Sequence, residues 1–185
     1  MNPDFIEIYD NVLTSKRCNE IIDFINSQDL HRAQYSDKGY RPDVNDSWGV
    51  LAYLNEYTFY NTIIAGALKK CVDKYLTTHP QLFRTFYQWG PDVKYNLQKY
   101  DPGQCYHKVH CENDGLRFSS RVLVWMIYLN TVTEGGGTYF ENYDRTTDAV
   151  EGRVVLWPPY WTHCHKGVVS NTEEKYIATG WFECQ

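Results

Sequence analysis

The sequence has no C-x-x-C pair, no low-complexity tract, no internal repeat and no Pro/Gly/Ser-rich linker. Without C-x-x-C pairs, a zinc ribbon or a thioredoxin-type site is excluded. Without a linker or repeat there is no boundary at which to divide 185 residues, and that length suits one domain. No apolar run approaches the ~20 residues a membrane-spanning helix needs. Positive charge is also scarce. Eighteen basic residues against 23 acidic ones leave a net charge of −5, which argues against electrostatic binding to nucleic acid or anionic lipid. The opening Met1-Asn2-Pro3-Asp4 shows neither a basic nor an apolar leader. The expectation is therefore a cytoplasmic protein whose six cysteines are reduced thiols serving as packing residues.

What is present is a hydrophobic fraction of 43% against 22% charge, enough for a packed core, and an unusual wealth of aromatics, with 16 tyrosines. Two helices are predicted. Residues 15–28 follow the N-cap candidates Thr14 and Ser15 and place Cys18, Ile21, Ile22 and Ile25 on one face. Residues 56–75 carry a stripe of Tyr60, Ile63, Ile64, Ala67, Leu68, Cys71, Val72 and Tyr75, which His79-Pro80 then stops.

Strands follow. Residues 93–100 alternate, and residues 121–129 form a nearly unbroken apolar run that reads as buried on both faces. Residues 153–157 and 175–182 read as further strands. Trp125, Trp157, Trp161 and Trp181 read as strand residues of the core, and Arg121 and Arg153 as strand openers that either face solvent or meet a substrate carboxylate. Helices followed by many short strands predict an α+β, mainly β, jelly roll with the helices packed on one sheet. The irregular segment 35–48, flanked by Trp48 and Tyr53, reads either as a lid or binding loop or as a plain surface connection.

Four of the six histidines fall in two places, His107 and His110, then His163 and His165. In a strand, His110 and Glu112 would point to the same face. A third ligand from a distant strand, His163 or His165, would complete two histidines and one carboxylate, a set that leaves metal positions open for cosubstrate and oxygen. Lys175, opening a buried strand, needs an anion to meet it, and a dicarboxylate cosubstrate would serve.

With these residues in place, the chain resembles the prolyl 4-hydroxylase-like group of Fe(II)/2-oxoglutarate dioxygenases. The resemblance rests on Tyr100-Asp101-Pro102-Gly103-Gln104-Cys105-Tyr106, His110-Cys111-Glu112, Gly135-Gly136-Gly137-Thr138-Tyr139-Phe140, and His165 followed ten residues later by Lys175-Tyr176 and then Trp181. The segment 5–25 is similar to the family's opening strand and helix. The Glu version of the ligand motif is similar to members from phages and marine bacteria.

The resemblance implies a double-stranded β-helix in which residues 1–90 supply the opening strand, the helices and the irregular segment. Residues 91–185 would then form the jelly-roll core with the metal site. It implies Fe(II) held by His110, Glu112 and His165, with Asp114 and His163 as the alternatives. Lys175 and Tyr100 would meet the far carboxylate of 2-oxoglutarate, Thr138 would line that pocket and Trp181 would wall it. O₂ is the other cosubstrate and ascorbate a reductant. The implied reaction is hydroxylation of an unactivated C–H bond, with peptidyl proline as substrate, or another amino-acid side chain or small molecule. Two rival readings are a zinc hydrolase built on the same three ligands and a non-enzymatic, aromatic-rich β-sandwich that binds carbohydrate or protein.

Overall fold

A computed structural model describes residues 4–34, 39–56 and 58–185. Helix α1, Ser15–Asn26, starts where Thr14 accepts the Arg17 amide and buries Cys18, Ile21 and Ile25. Helix α2, Phe59–Thr78, is capped by Thr58, which accepts the Asn61 amide. It begins later and runs further than the apolar stripe suggests. Glu56 lies in the preceding turn, and the helix persists until His79-Pro80. A short α3, Gln81–Thr85, follows. Among the described residues no helix is long and apolar enough to cross a membrane.

The strands are β1 (Glu7–Tyr9), β2 (His31–Arg32), β3 (Trp48–Tyr53), β4 (Trp89–Tyr100), β5 (Arg121–Tyr128), β6 (Thr138–Phe140), β7 (Arg145–Thr147), β8 (Val154–Trp157), β9 (His165–Gly167) and β10 (Lys175–Cys184). They form a seven-stranded sheet in the order β1-β8-β5-β10-β4-β3-β2 and a three-stranded sheet in the order β7-β6-β9. Every pairing is antiparallel. This is the double-stranded β-helix, with α1 and α2 laid on the outer face of the large sheet.

The alternation of side chains along β5 and β10 divides the interior in two. Leu123, Trp125 and Ile127 of β5 and Ala178 and Phe182 of β10 pack with Ile21, Ile25, Ile64 and Leu68 of the helices. Val124 and Tyr128 of β5 and Ile177 of β10 face the other way, toward Phe140, Val155 and Trp157 between the sheets. Each such side chain contributes roughly 1.5–3 kcal/mol on burial. This explains why β5 is apolar at almost every position, since a strand covered on both faces has no side left for polar residues.

The small sheet continues beyond β9 without regular strands. Gly167 donates to the Tyr106 carbonyl (2.8 Å), and His110 and His165 form an isolated antiparallel bridge. One row further out, Asn45 bridges Tyr106, Asp46 donates to the Cys105 carbonyl (3.0 Å) and the His107 amide donates to Val44 (2.8 Å). The described part of the irregular segment is therefore fastened to the edge of the small sheet, while residues 35–38 lie outside the described residues. Trp48, read as the end of that segment, opens β3.

Two other expectations are corrected. Trp161 is 73% exposed on a 3-10 turn, Trp161–His163, and is not a core strand residue. Arg121 is buried, not solvent-facing, while Arg153 pairs with Asp10 at the surface (2.6 Å). The six cysteines are free. Cys18, Cys71 and Cys105 pack inside, whereas Cys184 is exposed.

Candidate active site

Three side chains that could share one metal ion come together at the edge of the small sheet. The His110 amide donates to the His165 carbonyl (3.0 Å) and the His165 amide returns the bond to His110 (2.8 Å), so the two residues face each other as a hydrogen-bonded antiparallel pair. Their ring centroids are 4.4 Å apart. His110 does not lie in a regular strand, and the side-by-side placement of Glu112 has another cause. The amides of Glu112 and Asn113 both donate to the Pro159 carbonyl, at 3.0 and 2.9 Å, and this turns the chain so that the carboxylate meets the rings. Glu112 Oε1 lies 3.4 Å from Nε2 of each histidine. One ligand atom from each of the three residues fits within 4.8 Å of the others.

The donor chemistry suits a divalent ion. His110 Nδ1 lies 2.9 Å from the Lys108 carbonyl and His165 Nδ1 2.9 Å from the His163 carbonyl. A carbonyl oxygen can only accept, so each Nδ1 carries a proton and Nε2 is the ring atom left to face Glu112. Burial disfavours charge on His165 and lowers its pKa, against the pull of Glu112. Burial alone would raise the Glu112 carboxyl. Ring N–H donation and positive charge from the two imidazoles beside it outweigh that and hold it well below the usual carboxylate range. Glu112 is thus ionised, as ligation requires, and a metal would take the place of any ring proton at Nε2.

The walls are aromatic. His165 is packed by Trp157 and Phe140, with ring centroids 5.2 and 5.5 Å away, and His110 stacks on Tyr106 at 3.8 Å. The second oxygen of the carboxylate, Glu112 Oε2, accepts from the Trp181 indole N–H (3.0 Å) and from Arg121 Nη1 (3.3 Å).

Lys175 opens β10 directly opposite Tyr100 of β4. Its Nζ lies 4.4 Å from the centre of the Tyr100 ring. Both side chains are buried, and among the described residues no carboxylate lies within ion-pair distance of Lys175. Burial pushes its pKa down to about 8. The Tyr100 hydroxyl donates to Gln98 Oε1 at 3.2 Å. Thr138, buried on β6, shares a hydrogen bond with the Tyr128 hydroxyl (2.7 Å), which also contacts Thr147 Oγ1 (3.2 Å). Trp181 stands six residues from Lys175 on the same face of β10, about 20 Å along the strand, at the Glu112 end.

The alternatives lie elsewhere. Asp114 is exposed and outside the cluster. His163 ends the 3-10 turn instead of continuing a strand, so it does not share a face with His165. Its Nε2 lies 2.8 Å from the Asp4 carbonyl, and it packs on Tyr143. His107 is exposed, with Nδ1 3.2 Å from Cys105 Sγ. A separate apolar groove of about 660 Å³, bordered by Leu68, Val72, Phe83, Trp89 and Phe182, lies on the helix side of the large sheet and touches none of the three ligands.

Residues 95–183, which carry this whole arrangement, match the family model described as the 2OG-Fe(II) oxygenase superfamily. The match spans just under half of the chain and includes His110, Glu112, His165 and Lys175. The matched segment identifies a 2-oxoglutarate-dependent dioxygenase, and the match implies Fe(II), 2-oxoglutarate and O₂. This sets aside the zinc hydrolase and the non-enzymatic sandwich. No curated protein matches the sequence.

Among solved structures, the oxygenase is similar to the viral collagen prolyl hydroxylase of Paramecium Bursaria Chlorella virus-1 in its 2OG complex, at 18% identity and a TM-score of 0.71 over 98% of this chain and 97% of that one. It is also similar to a Pseudomonas putida prolyl-4-hydroxylase, at 17% identity and a TM-score of 0.73 over 97% and 93% of the two chains. A Trichoplax adhaerens prolyl hydroxylase in complex with a hypoxia inducible factor peptide fragment gives 18% and 0.74 over 99% and 85%. At these identities the likeness establishes a common fold.

Two residues of this oxygenase's site escaped sequence reasoning. Arg121 reads as an ordinary strand opener, because nothing in the sequence announces that its neighbours will be Glu112 and Trp181. Tyr128 reads as one more apolar residue of a buried strand. The only clue to its different role is that a fully buried hydroxyl needs a partner, which Thr138 supplies.

Proposed function

We propose that this oxygenase hydroxylates peptidyl proline at C4, holding Fe(II) through His110, Glu112 and His165 and the far carboxylate of 2-oxoglutarate through Lys175. The observation that carries the metal assignment is that both histidines are fixed by carbonyl acceptors at Nδ1 while both Nε2 atoms converge on one carboxylate oxygen. When bound, the iron with 2-oxoglutarate and O₂ supplies oxidative decarboxylation to succinate and CO₂, coupled to insertion of one oxygen into a C–H bond.

The chain's own residues do the rest. The ligands leave one side of the ion open, as suits two His and one carboxylate. Lys175 is buried with no carboxylate among the described residues to pair with it, so an incoming dianion relieves the cost of its isolated charge. The Tyr100 ring beneath its Nζ fixes the direction in which the ammonium points. Phe140 and Trp157 exclude water behind His165. Tyr128 and Thr138 offer hydroxyls from facing sheets to the same interior.

The choice of peptidyl proline is supported by the character of the similar folds, three of which are prolyl hydroxylases, one with a peptide bound. The test is incubation with Fe(II), 2-oxoglutarate, ascorbate and a panel of proline-containing peptides. Succinate and a peptide gain of about 16 Da, one oxygen atom, are read by mass spectrometry. Fragmentation that places the oxygen on proline supports the proposal. Succinate formation with oxygen on another residue would reassign the substrate, and no succinate from metal-loaded protein with any peptide would overturn it.

A further inference from the structure

Glu112 has one more rotatable bond than an aspartate would have at this position, and a carboxylate on a longer stem can swing, or offer both oxygens to an ion. The structure shows what limits that freedom. Oε1 faces the two imidazoles, while Oε2 is turned away and taken by two donors, the Trp181 indole N–H at 3.0 Å and Arg121 Nη1 at 3.3 Å. The same Nη1 donates to the Glu112 main-chain carbonyl at 2.8 Å, so one guanidinium nitrogen grips the residue at both ends.

The donors are themselves held. The Arg121 guanidinium carbon lies 3.6 Å from the centre of the Trp181 ring and 4.1 Å from that of Phe118, so the cation is packed against both aromatic rings. Its Nε lies 3.7 Å from Glu183 Oε1. An indole nitrogen only donates, and a guanidinium only donates. Neither can therefore compete with Glu112 as a ligand, and both favour its ionised form.

We infer that Trp181 and Arg121 are positioning residues that tether Oε2 of Glu112, so that the carboxylate presents Oε1 alone to the metal. This rests on the proposed ligand set. Outer partners of this kind commonly change metal affinity by about 10–100-fold when removed. The tether also explains how a ligand one methylene longer than aspartate can stand in a site bounded by two fixed imidazoles. Its reach is taken up by turning the second oxygen toward β5 and β10.

The test uses Mn(II) as the probe, without cosubstrate, with free ion counted by electron paramagnetic resonance. Trp181→Phe keeps the ring against Arg121 and deletes the one N–H. Arg121→Gln deletes the second donor together with its charge. Each is expected to weaken Mn(II) binding about 10-fold or more, and Co(II)-loaded protein should show altered d–d absorption bands as the carboxylate changes its mode of attachment. The pair Glu112→Asp and Glu112→Asp/Trp181→Phe completes a cycle. An aspartate is too short to reach the indole, so Trp181→Phe should cost little on that background.

Wild-type Mn(II) affinity and unchanged Co(II) bands in Trp181→Phe would overturn the inference, as would an equal loss on the Glu and Asp backgrounds. Thermal unfolding of the metal-free forms identifies a variant that has not folded, in which case Arg121→Gln supplies the same comparison. Wild-type protein that took up no Mn(II) would overturn the ligand set itself, and this inference with it.

Discussion

A lysine ammonium left 5% exposed gives up nearly all of its hydration, and at Lys175 no carboxylate among the described residues replaces it. With its pKa pushed down to about 8 from an ordinary 10.5, the charged form costs the fold roughly 3 kcal/mol. The sign follows from proton counting. Between about pH 8 and 10.5 the unfolded chain binds more protons at this residue, so its contribution makes stability rise with pH across that window. Binding of a dianion at Lys175, as proposed, would run the other way, since only the protonated amine pairs with it. The affinity for 2-oxoglutarate, titrated anaerobically into the metal-loaded protein, is expected to be flat below about pH 8 and to fall towards tenfold per pH unit above it. Lys175→Met should bind more weakly at every pH and lose the dependence.

At this scale the sequence was informative where chemistry is concentrated in few residues. His110-x-Glu112 could be read as a ligand pair, and Lys175 as a charge in want of an anion. It misled where neighbours come from distant segments, as with Arg121, and where a local turn replaces a strand, as at His163.

Among the elements, β10 has little room at one position. Gly180 lies opposite Tyr95 of β4 and Trp125 of β5. A methyl group there would come within 2.6 Å of the Trp125 ring and 2.9 Å of Tyr95 Cβ. Both neighbours are fully buried and have nowhere to retreat. Gly180→Ala is expected to cost about 1–3 kcal/mol through overpacking, read as a lower urea midpoint with unchanged slope. At Gly135 the objection is conformational as well as steric. Its φ of +74° suits glycine, and a Cβ would overlap the Val169 carbonyl.

Elements with many residues in register were legible. The double-sided burial of β5 and the stripe of α2 both left a pattern long enough to read. The three-residue strands β6, β7 and β9 have no period to detect, since three residues cannot distinguish alternation from chance. β3 was missed because its residues run Trp-Gly-Val-Leu-Ala-Tyr with Leu51 exposed, so the pattern of burial is irregular. Its strand character comes from pairing with β4.

For the molecule as a whole, an ion held by the proposed ligands would couple binding to folding, because the unfolded chain does not hold His110, Glu112 and His165 together. At a free Mn(II) concentration 100-fold above the dissociation constant, stability should rise by about 2.7 kcal/mol. For a chain of this length that is a melting point roughly 5–10 °C higher, measurable by differential scanning calorimetry. A chelator should abolish the shift, and Glu112→Gln should not show it.

The bridge between His110 and His165 extends this coupling to chain topology. The two residues are about 55 positions apart, and the stretch between them contains β5 to β8. An ion gripped by both would act as a removable staple, closing a ring around the middle of the jelly roll. A permanent cross-link around a loop of that size would remove on the order of 4 kcal/mol of chain entropy from the unfolded state. A coordinate bond would do so only while it lasts. Protease resistance of the segment between the two histidines would then report ion occupancy directly, with no substrate present.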